Sequence, residues 1–327
     1  MKKNWESPDC AICRTNKYLS VLWNGVTTWE HPGRFNFVKC LKCGLVFQSP
    51  RALFKDAVIY YPSESYWGRD VRNFKKVNGW KKERERAYHH LYKGIFMRKK
   101  KGVMLDIGSG LGLFLSKFKD LGWKVIGTDI SSDIGKYSKK IFDITVQIGD
   151  FVKLSLPYKE FDLITMNGVF EHIYNPRETL IKAKKILNKD GLLVIVVPNI
   201  ESLGYLIHRK NWYHLQPGRH IYQFSPKTLS RLLVDCGFKI EEINHSFWAH
   251  NYYSLFENIR FRTSSRFRKN FTGGLEQGSL NDLKKPSKIT FIKEIGKLSA
   301  TVLATIGSII EPLIKRGEVI TVYAKKD

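Results

Sequence analysis

The stretch Val103-Met104-Leu105-Asp106-Ile107-Gly108-Ser109-Gly110-Leu111-Gly112, followed by Leu113-Phe114-Leu115-Ser116-Lys117-Phe118, constrains this chain more than any other. Its apolar run reads as a buried parallel strand, its glycines allow backbone to approach a ligand closely, and the next residues place apolar side chains at helical spacing. Strand, tight loop and helix in that order belong to an open α/β sheet, which binds ligands at the carboxyl ends of its strands. Leu113 stands where a dinucleotide fingerprint G-x-G-x-x-G needs its third glycine, so that fingerprint fails. Asp106, directly before the loop, is unfavourable beside an anionic pyrophosphate and favourable beside positive charge.

Other acids follow in order. Trp123-Lys124-Val125-Ile126-Gly127-Thr128-Asp129 reads as a second strand ending in a carboxylate that can take two ribose hydroxyls, with Ile130 beside it. Gly149-Asp150-Phe151 is an acidic turn, and Phe161-Asp162-Leu163-Ile164-Thr165-Met166 a fourth strand running into Asn167-Gly168-Val169-Phe170-Glu171-His172. This ordered set, from about 102 to 245, resembles the class I SAM-dependent methyltransferases, in particular their ubiquinone-biosynthesis-like branch. The resemblance implies S-adenosyl-L-methionine as cofactor, its ammonium and sulfonium suiting Asp106. Gly108, Ser109, Gly110 and Gly112 would cradle it, Asp129 and Ile130 would meet the ribose side, Gly149, Asp150 and Phe151 the adenine, and Asn167 would close the loop.

Seven strands are predicted near 102–106, 123–128, 143–147, 161–166, 191–197, 238–245 and 317–325, with helices near 111–121, 132–141, 176–187 and 226–236. The fold class is therefore α/β: a Rossmann-like, seven-stranded, mostly parallel sheet whose last strand is antiparallel, plus a small N-terminal zinc-ribbon-like module. The chain divides into a four-cysteine module (1–50), an aromatic and helical segment (51–101), the cofactor-binding core (102–245), a basic aromatic insertion (246–290), and an amphipathic helix with the final strand (291–327).

Cys10-x-x-Cys13 and Cys40-x-x-Cys43 form two knuckles, enough thiolates for a tetrahedral structural Zn²⁺ with no position left for water. The 26 residues between them leave room for a hairpin around Trp23-Asn24-Gly25-Val26. The module resembles the four-cysteine segment preceding several sugar and surface-polysaccharide methyltransferases, in which C-x-x-C-G-L-V recurs. Ribbons also bind RNA, so the substrate stays open at this point. Cys236 reads as inert core.

A net charge of +25 implies an anionic partner, for which nucleic acid, anionic lipid and phosphorylated sugars all qualify. Arg260-Phe261-Arg262 and Arg266-Phe267-Arg268-Lys269 interleave basic and aromatic residues, suited to a phosphate backbone, an anionic bilayer or a plain loop. Ile295, Leu298, Val302, Ile306, Ile309 and Leu313 make an apolar stripe at helical spacing that packs on its own sheet or contacts a membrane interface. With no secretory h-region in Met1–Pro8 and no apolar run long enough to span a bilayer, a cytoplasmic protein is expected, with peripheral contact at the inner membrane face open.

On the acceptor side, Arg219-His220-Ile221-Tyr222 lies in a loop that resembles the substrate segment of the same branch. His220 is the first candidate base and His172 the second, each with a structural hydrogen-bonding role as the alternative. Arg219 and Tyr222 are candidate substrate contacts, Arg219 for a phosphate or carboxylate. Arg219 also stands where the sugar C-methyltransferases carry an acid before the histidine, which departs from their Glu-His dyad. Asn167-Gly168-Val169-Phe170 lacks the [DN]-P-P-[FY] pattern of base-amine methyltransferases. The expected acceptor is small or glycan-type, in cell-surface polysaccharide or glycolipid assembly; RNA, or a non-catalytic SAM-binding role, is the alternative. Tyr60-Tyr61-Pro62 and Tyr66-Trp67-Gly68 suit either a lid or the core of the junction, ahead of a helix predicted over 74–97.

Overall fold

The computed structural model describes residues 4–27, 33–61, 85–245, 255, 302 and 304–327. Five strands come first: β1 (Trp5–Glu6), β2 (Leu19–Val26), β3 (Phe35–Cys40), β4 (Val46–Gln48) and β5 (Arg51–Ala52). The large sheet follows with β6 (Val103–Ile107), β7 (Lys124–Asp129), β8 (Val146–Ile148), β9 (Phe161–Asn167) and β10 (Leu187–Pro198). After β11 (Tyr222–Gln223) it is completed by β12 (Phe238–Asn244) and β13 (Val319–Lys326). Its order is β12-β13-β10-β9-β6-β7-β8, with β13 antiparallel to both neighbours and the pairs from β10 to β8 parallel. This is the seven-stranded Rossmann-like sheet with an antiparallel last strand that the sequence predicts.

Central strands are buried on both faces, which is why they read as unbroken apolar runs. Leu192 to Val197 of β10 are all buried. The helices are α1 (His89–Phe96), α2 (Leu113–Asp120), α3 (Ser132–Phe142), α4 (Pro176–Ile186), α5 (Leu203–His208) and α6 (Pro226–Asp235). On one side of the sheet Tyr92 of α1 stacks on Phe114 of α2 at 5.1 Å, with Phe118 and Trp123 extending the cluster. Local signals set the helix starts. The Ser225 hydroxyl accepts from the Thr228 amide and Pro226 takes the first helical position, a capping box worth about 1 kcal/mol.

The N-terminal sheet has the order β11-β4-β3-β2. Its fourth strand, β11, comes from the loop before α6, and Gln48 N–H donates to Ile221 O across the same seam. The core is continuous as well: Cys10, Cys40, Cys43, Leu45 and Phe47 share one cluster with Ile107, Phe170, Tyr222, Phe224 and Leu229.

Two local expectations are corrected, and the two readings of the C-terminal stripe are reduced to one. Trp23–Val26 lies inside β2, not at a hairpin turn; β2 and β3 pair with irregular register there, and the connection falls beyond Val26. The third strand of the sheet begins at Val146, not 143, because Asp143 caps α3 in left-handed backbone and is held there by Lys119 and Lys139. The apolar stripe of the helix over 304–313 faces outward: Ile306, Ile309 and Leu313 are exposed, and Leu313 is 77% exposed, whereas Ala304, Ser308 and Glu311 are the buried side. The basic aromatic motifs, Ile295, Leu298, Tyr66, Trp67 and the predicted helix before residue 85 lie outside the described residues. No helix among the described residues is long and apolar enough to cross a membrane.

Candidate active site and cysteine centre

At the carboxyl end of β6 the chain turns through Gly108, Gly110 and Gly112, all at positive φ. Gly108 and Ser109 amides donate to Thr128 O at 2.7 and 3.0 Å, tying the loop to β7. Asp129 ends β7, and its two oxygens accept from the Gly110 amide and the Ser131 amide, each at 3.0 Å. This carboxylate therefore shapes the glycine loop, a role the sequence did not reveal. Beneath the loop Asp106 is buried and accepts from Thr165 Oγ1 at 2.5 Å. Burial pushes its carboxyl up to about 7, and the Asp129 charge adds to the rise, against the Thr165 hydrogen bond.

The expected adenine side is built by the Gly149 amide, which donates to Asp129 O at 2.8 Å, and by Asp150 Oδ1, which accepts from the Val152 amide at 3.1 Å. Phe151 is buried under Lys182, whose ammonium donates to Phe151 O at 2.6 Å. Ile130 remains 57% exposed. Asn167 ends β9, and Gly168 N–H is fixed by Val196 O at 2.9 Å.

Gly108 has φ +70°, and a Cβ there would lie 2.5 Å from Val169 Cγ2. Gly108→Ala is therefore expected to cost about 1–2 kcal/mol from backbone conformation alone, and more from the clash. Thermal denaturation should show a drop of several degrees, and calorimetry a loss of cofactor affinity; an unchanged melting temperature would refute this reading of the loop.

Val169 leads into a single 3-10 turn, Phe170–His172. Phe170 is buried, stacked on Phe224 at 5.3 Å, and its neighbour Glu171 is drawn under the surface with it. Glu171 Oε1 lies 3.9 Å from Nε2 of both His172 and His220, while its Oε2 is buried with no hydrogen-bond partner. The two imidazoles meet edge to face at 4.6 Å. His220 Nδ1 lies 2.7 Å from His214 O and His172 Nδ1 3.0 Å from Arg219 O. A carbonyl only accepts, so His220 carries its proton on Nδ1 and its lone pair on Nε2, whereas His172 Nδ1 meets both Arg219 O and the Tyr61 hydroxyl. Burial pushes Glu171 up to about 8 and His172 down to about 4, and it lowers His220 in the same direction, so the 3.9 Å separations are not ion pairs at neutral pH.

The structure thus brings the two candidate bases together and adds Glu171. Here an acid does face His220, supplied by the loop after β9 rather than by the residue preceding the histidine. Arg219 donates from Nε to Tyr60 O at 2.6 Å, and Tyr61 Oη sits 2.8 Å from His172 Nδ1. Tyr222 is buried in β11, its hydroxyl 3.2 Å from Arg51 Nη1; the same guanidinium donates to Glu6 Oε1 at 2.7 Å and lies over the Tyr174 ring. Arg51 was not singled out from sequence, because only the fold brings its partners together.

In the N-terminal module the Sγ pairs Cys10–Cys43 and Cys13–Cys40 are 3.5 and 3.8 Å apart, and all four sulfurs lie within 4.8 Å of one another. A tetrahedral Zn²⁺ with Zn–S bonds of about 2.3 Å needs sulfurs about 3.8 Å apart, so the four thiols fit that ion. Zinc there would crosslink the two knuckles and perform no chemistry. Cys236 is buried elsewhere, beside Arg177.

A family model described as a methyltransferase domain matches residues 80–243, just over half of the chain. The chain belongs to this methyltransferase family. A ubiquinone biosynthesis O-methyltransferase of Glaesserella parasuis is 29% identical over 124 residues, covering 35% of this chain and 51% of that enzyme, so the match spans about half of its length. An uncharacterized protein of Methanocaldococcus jannaschii is 28% identical over 160 residues, 49% of this chain and 76% of that one. Among solved structures, a SAM-dependent methyltransferase from Archaeoglobus fulgidus aligns at 26% identity and a TM-score of 0.46, covering 74% of this chain and 94% of that chain. The protein is a SAM-dependent methyltransferase, and the fold holds the residues expected to line its cofactor at the carboxyl ends of β6, β7, β8 and β9.

Proposed function

We propose that this methyltransferase acts on a hydroxyl of a small or glycan-type acceptor, with a sugar in cell-surface polysaccharide or glycolipid assembly as the preferred class. The observation that carries the reading is the convergence of Glu171 Oε1 with Nε2 of His172 and His220, beside the glycine loop that Val169 packs against. Two imidazole lone pairs and a carboxyl group offer more accepting than donating capacity. They suit an acceptor that brings its own protons, as a hydroxyl does. SAM supplies the electrophilic methyl group, and the protein's task is to place the acceptor oxygen in line and exclude water. The base expected of His220 or His172 is, on this reading, the cluster that both form with Glu171. Arg219 and Tyr222 shape the acceptor side: Arg219 fixes Tyr60 and the adjoining Tyr61, and Tyr222 joins the loop to β4.

The four-cysteine segment supports the sugar class by its resemblance to those of polysaccharide methyltransferases. Presentation of the acceptor at an anionic bilayer is supported by the exposed Ile306, Ile309 and Leu313 and by Leu206 and Ile207 of α5, with Arg209, Lys210, Lys315 and Arg316 nearby in sequence. Cell extract incubated with methyl-labelled SAM and the enzyme, then split into nucleic acid, lipid-linked glycan and soluble nucleotide-sugar fractions, tests the proposal. Label is expected in a glycan or nucleotide-sugar fraction and absent with the Glu171→Gln variant. Label confined to RNA overturns the acceptor class.

A further inference from the structure

We propose that Lys182 is the positioning residue for base recognition: from α4 its ammonium fixes the turn after β8 so that Asp150 reads the 6-amino group of the cofactor's adenine. The role concerns the cofactor alone and does not rest on the acceptor reading above.

Residues 150–154 form one tight turn. Asp150 O accepts from the Lys153 and Leu154 amides at 2.9 and 3.1 Å, and Asp150 Oδ1 caps the turn by accepting from the Val152 amide at 3.1 Å. The later carbonyls of so short a turn are left largely without partners inside it. Lys182 serves three of them: Nζ donates to Phe151 O at 2.6 Å, Val152 O at 3.2 Å and Leu154 O at 2.5 Å, and it stands 4.8 Å from the Phe151 ring centre. An ammonium has three N–H groups, and here all three are committed to a single turn.

A lysine on a surface helix ordinarily keeps its head in water, and ordering it costs rotamer freedom. Three charge-assisted bonds offset that cost, so the shape of the turn is specified from α4, whose own position is set by buried Thr179, Leu180 and Ala183. An acid at the start of the turn and a cation at its end complement the dipole of its peptides. Burial lowers the Lys182 pKa and the Asp150 charge opposes that fall, so the two side chains feel each other across the turn.

The turn stands where a nucleoside's base would lie. Gly149 N–H donates to Asp129 O at 2.8 Å, so Asp150 sits one strand beyond the carboxylate expected at the ribose. Exposed Ile130 and Ile148 flank the two acids and offer apolar contact to a purine. With Oδ1 taken by the Val152 amide, the second Asp150 oxygen is the one left to accept from an exocyclic amine. A 6-oxo base would face that carboxylate with an acceptor of its own, so a fixed turn rejects it.

The test is calorimetry with S-adenosylhomocysteine and S-inosylhomocysteine, whose bases carry an amino and an oxo group at position 6. The parent is expected to prefer the adenosyl compound by at least about tenfold. In Lys182→Met, which keeps an apolar stem over Phe151, the preference should fall below about threefold through weaker adenosyl binding; inosyl affinity within about twofold of the parent shows that the rest of the cofactor site is intact. Lys182→Gln, with two N–H groups in place of three, should give an intermediate preference and serves where the methionine variant is unstable. Asp150→Asn, whose amide keeps the cap and presents its NH₂ to the base, should lose the preference as well, and the double variant should lose no more than either. A parent without preference, retention of the preference in Lys182→Met or Asp150→Asn, an equal fall in both affinities, or additive losses in the double variant overturns the proposal.

Discussion

Asp106→Asn is expected to weaken SAM binding by at least tenfold at pH 8 and to remove the pH dependence of that binding. Burial holds the Asp106 carboxyl at about 7 in the free protein, well above its ordinary range. A cofactor carrying an ammonium and a sulfonium favours the ionised form, so binding near pH 7 should release about half a proton per SAM, and affinity should rise with pH until the carboxylate is fully ionised. The sign for stability is opposite. The unfolded chain loses this proton near pH 4, the free folded chain near 7, so between the two the native state holds a proton that the unfolded state has lost. Stability of the cofactor-free protein therefore falls as pH rises through that window, by up to about 4 kcal/mol. Asparagine keeps an acceptor for Thr165 and carries no charge, so the variant should melt higher than the parent at pH 8 without cofactor while binding SAM less well. Calorimetry in buffers of differing ionisation enthalpy reads the proton release. A parent protein whose SAM affinity is flat from pH 6 to 8 would disprove the role given to Asp106.

Cys40→Ser should reduce methyl transfer to below a tenth of the parent rate while leaving SAM affinity within about threefold. The sulfurs are far from any role in the chemistry; their effect runs through the sheet. β4 lies between β3, which ends in Cys40, and β11, which belongs to the loop proposed to meet the acceptor. Gln48 Oε1 accepts from Gly218 N–H at 2.8 Å, and Arg51 holds Tyr222 and Glu6 together. Losing the crosslink frees β3 and β4, and with them the loop that places His220. The residues expected to line the cofactor sit at the ends of β6 to β9, outside that seam. Metal analysis should find one zinc per chain in the parent, lost in the variant along with several degrees of melting temperature. Full activity in zinc-free protein would contradict the positioning role.

Much of the large sheet was readable because each central strand is buried on both faces and some helix starts carry their own signal, as at Ser225 and Pro226. Such signals are local, and local signals survive in sequence. The acceptor corner was legible only in parts. His172 and His220 could be singled out by type, but Glu171 between them depends on two loops meeting, and the Arg51–Tyr222 contact joins residues 171 positions apart. Periodicity found the apolar stripe of the C-terminal helix and left its direction open. A 3.6-residue pattern shows that two faces differ; it does not show which one a neighbour covers. Here the small and polar face, Ala304, Ser308 and Glu311, is the covered one, and buried Glu311 stands beside Glu318, whose Oε2 accepts from Trp212 Nε1 at 2.6 Å.

The order of strands also sets a timetable for synthesis. β13 lies between β10 and the edge strand β12, so β12 leaves the ribosome without its one partner and waits for residues 319–326 to emerge before it can join the sheet. The cysteine module waits too, since its fourth strand arrives only with Tyr222. At translation rates of about 5–20 residues per second, the span from β10 to β13 alone takes on the order of ten seconds. During that interval β10, whose residues from Leu192 to Val197 all end up buried, presents an unpaired edge. Nascent chains of this protein are therefore most vulnerable to aggregation, and most in need of a chaperone, when stalled between residues 198 and 319.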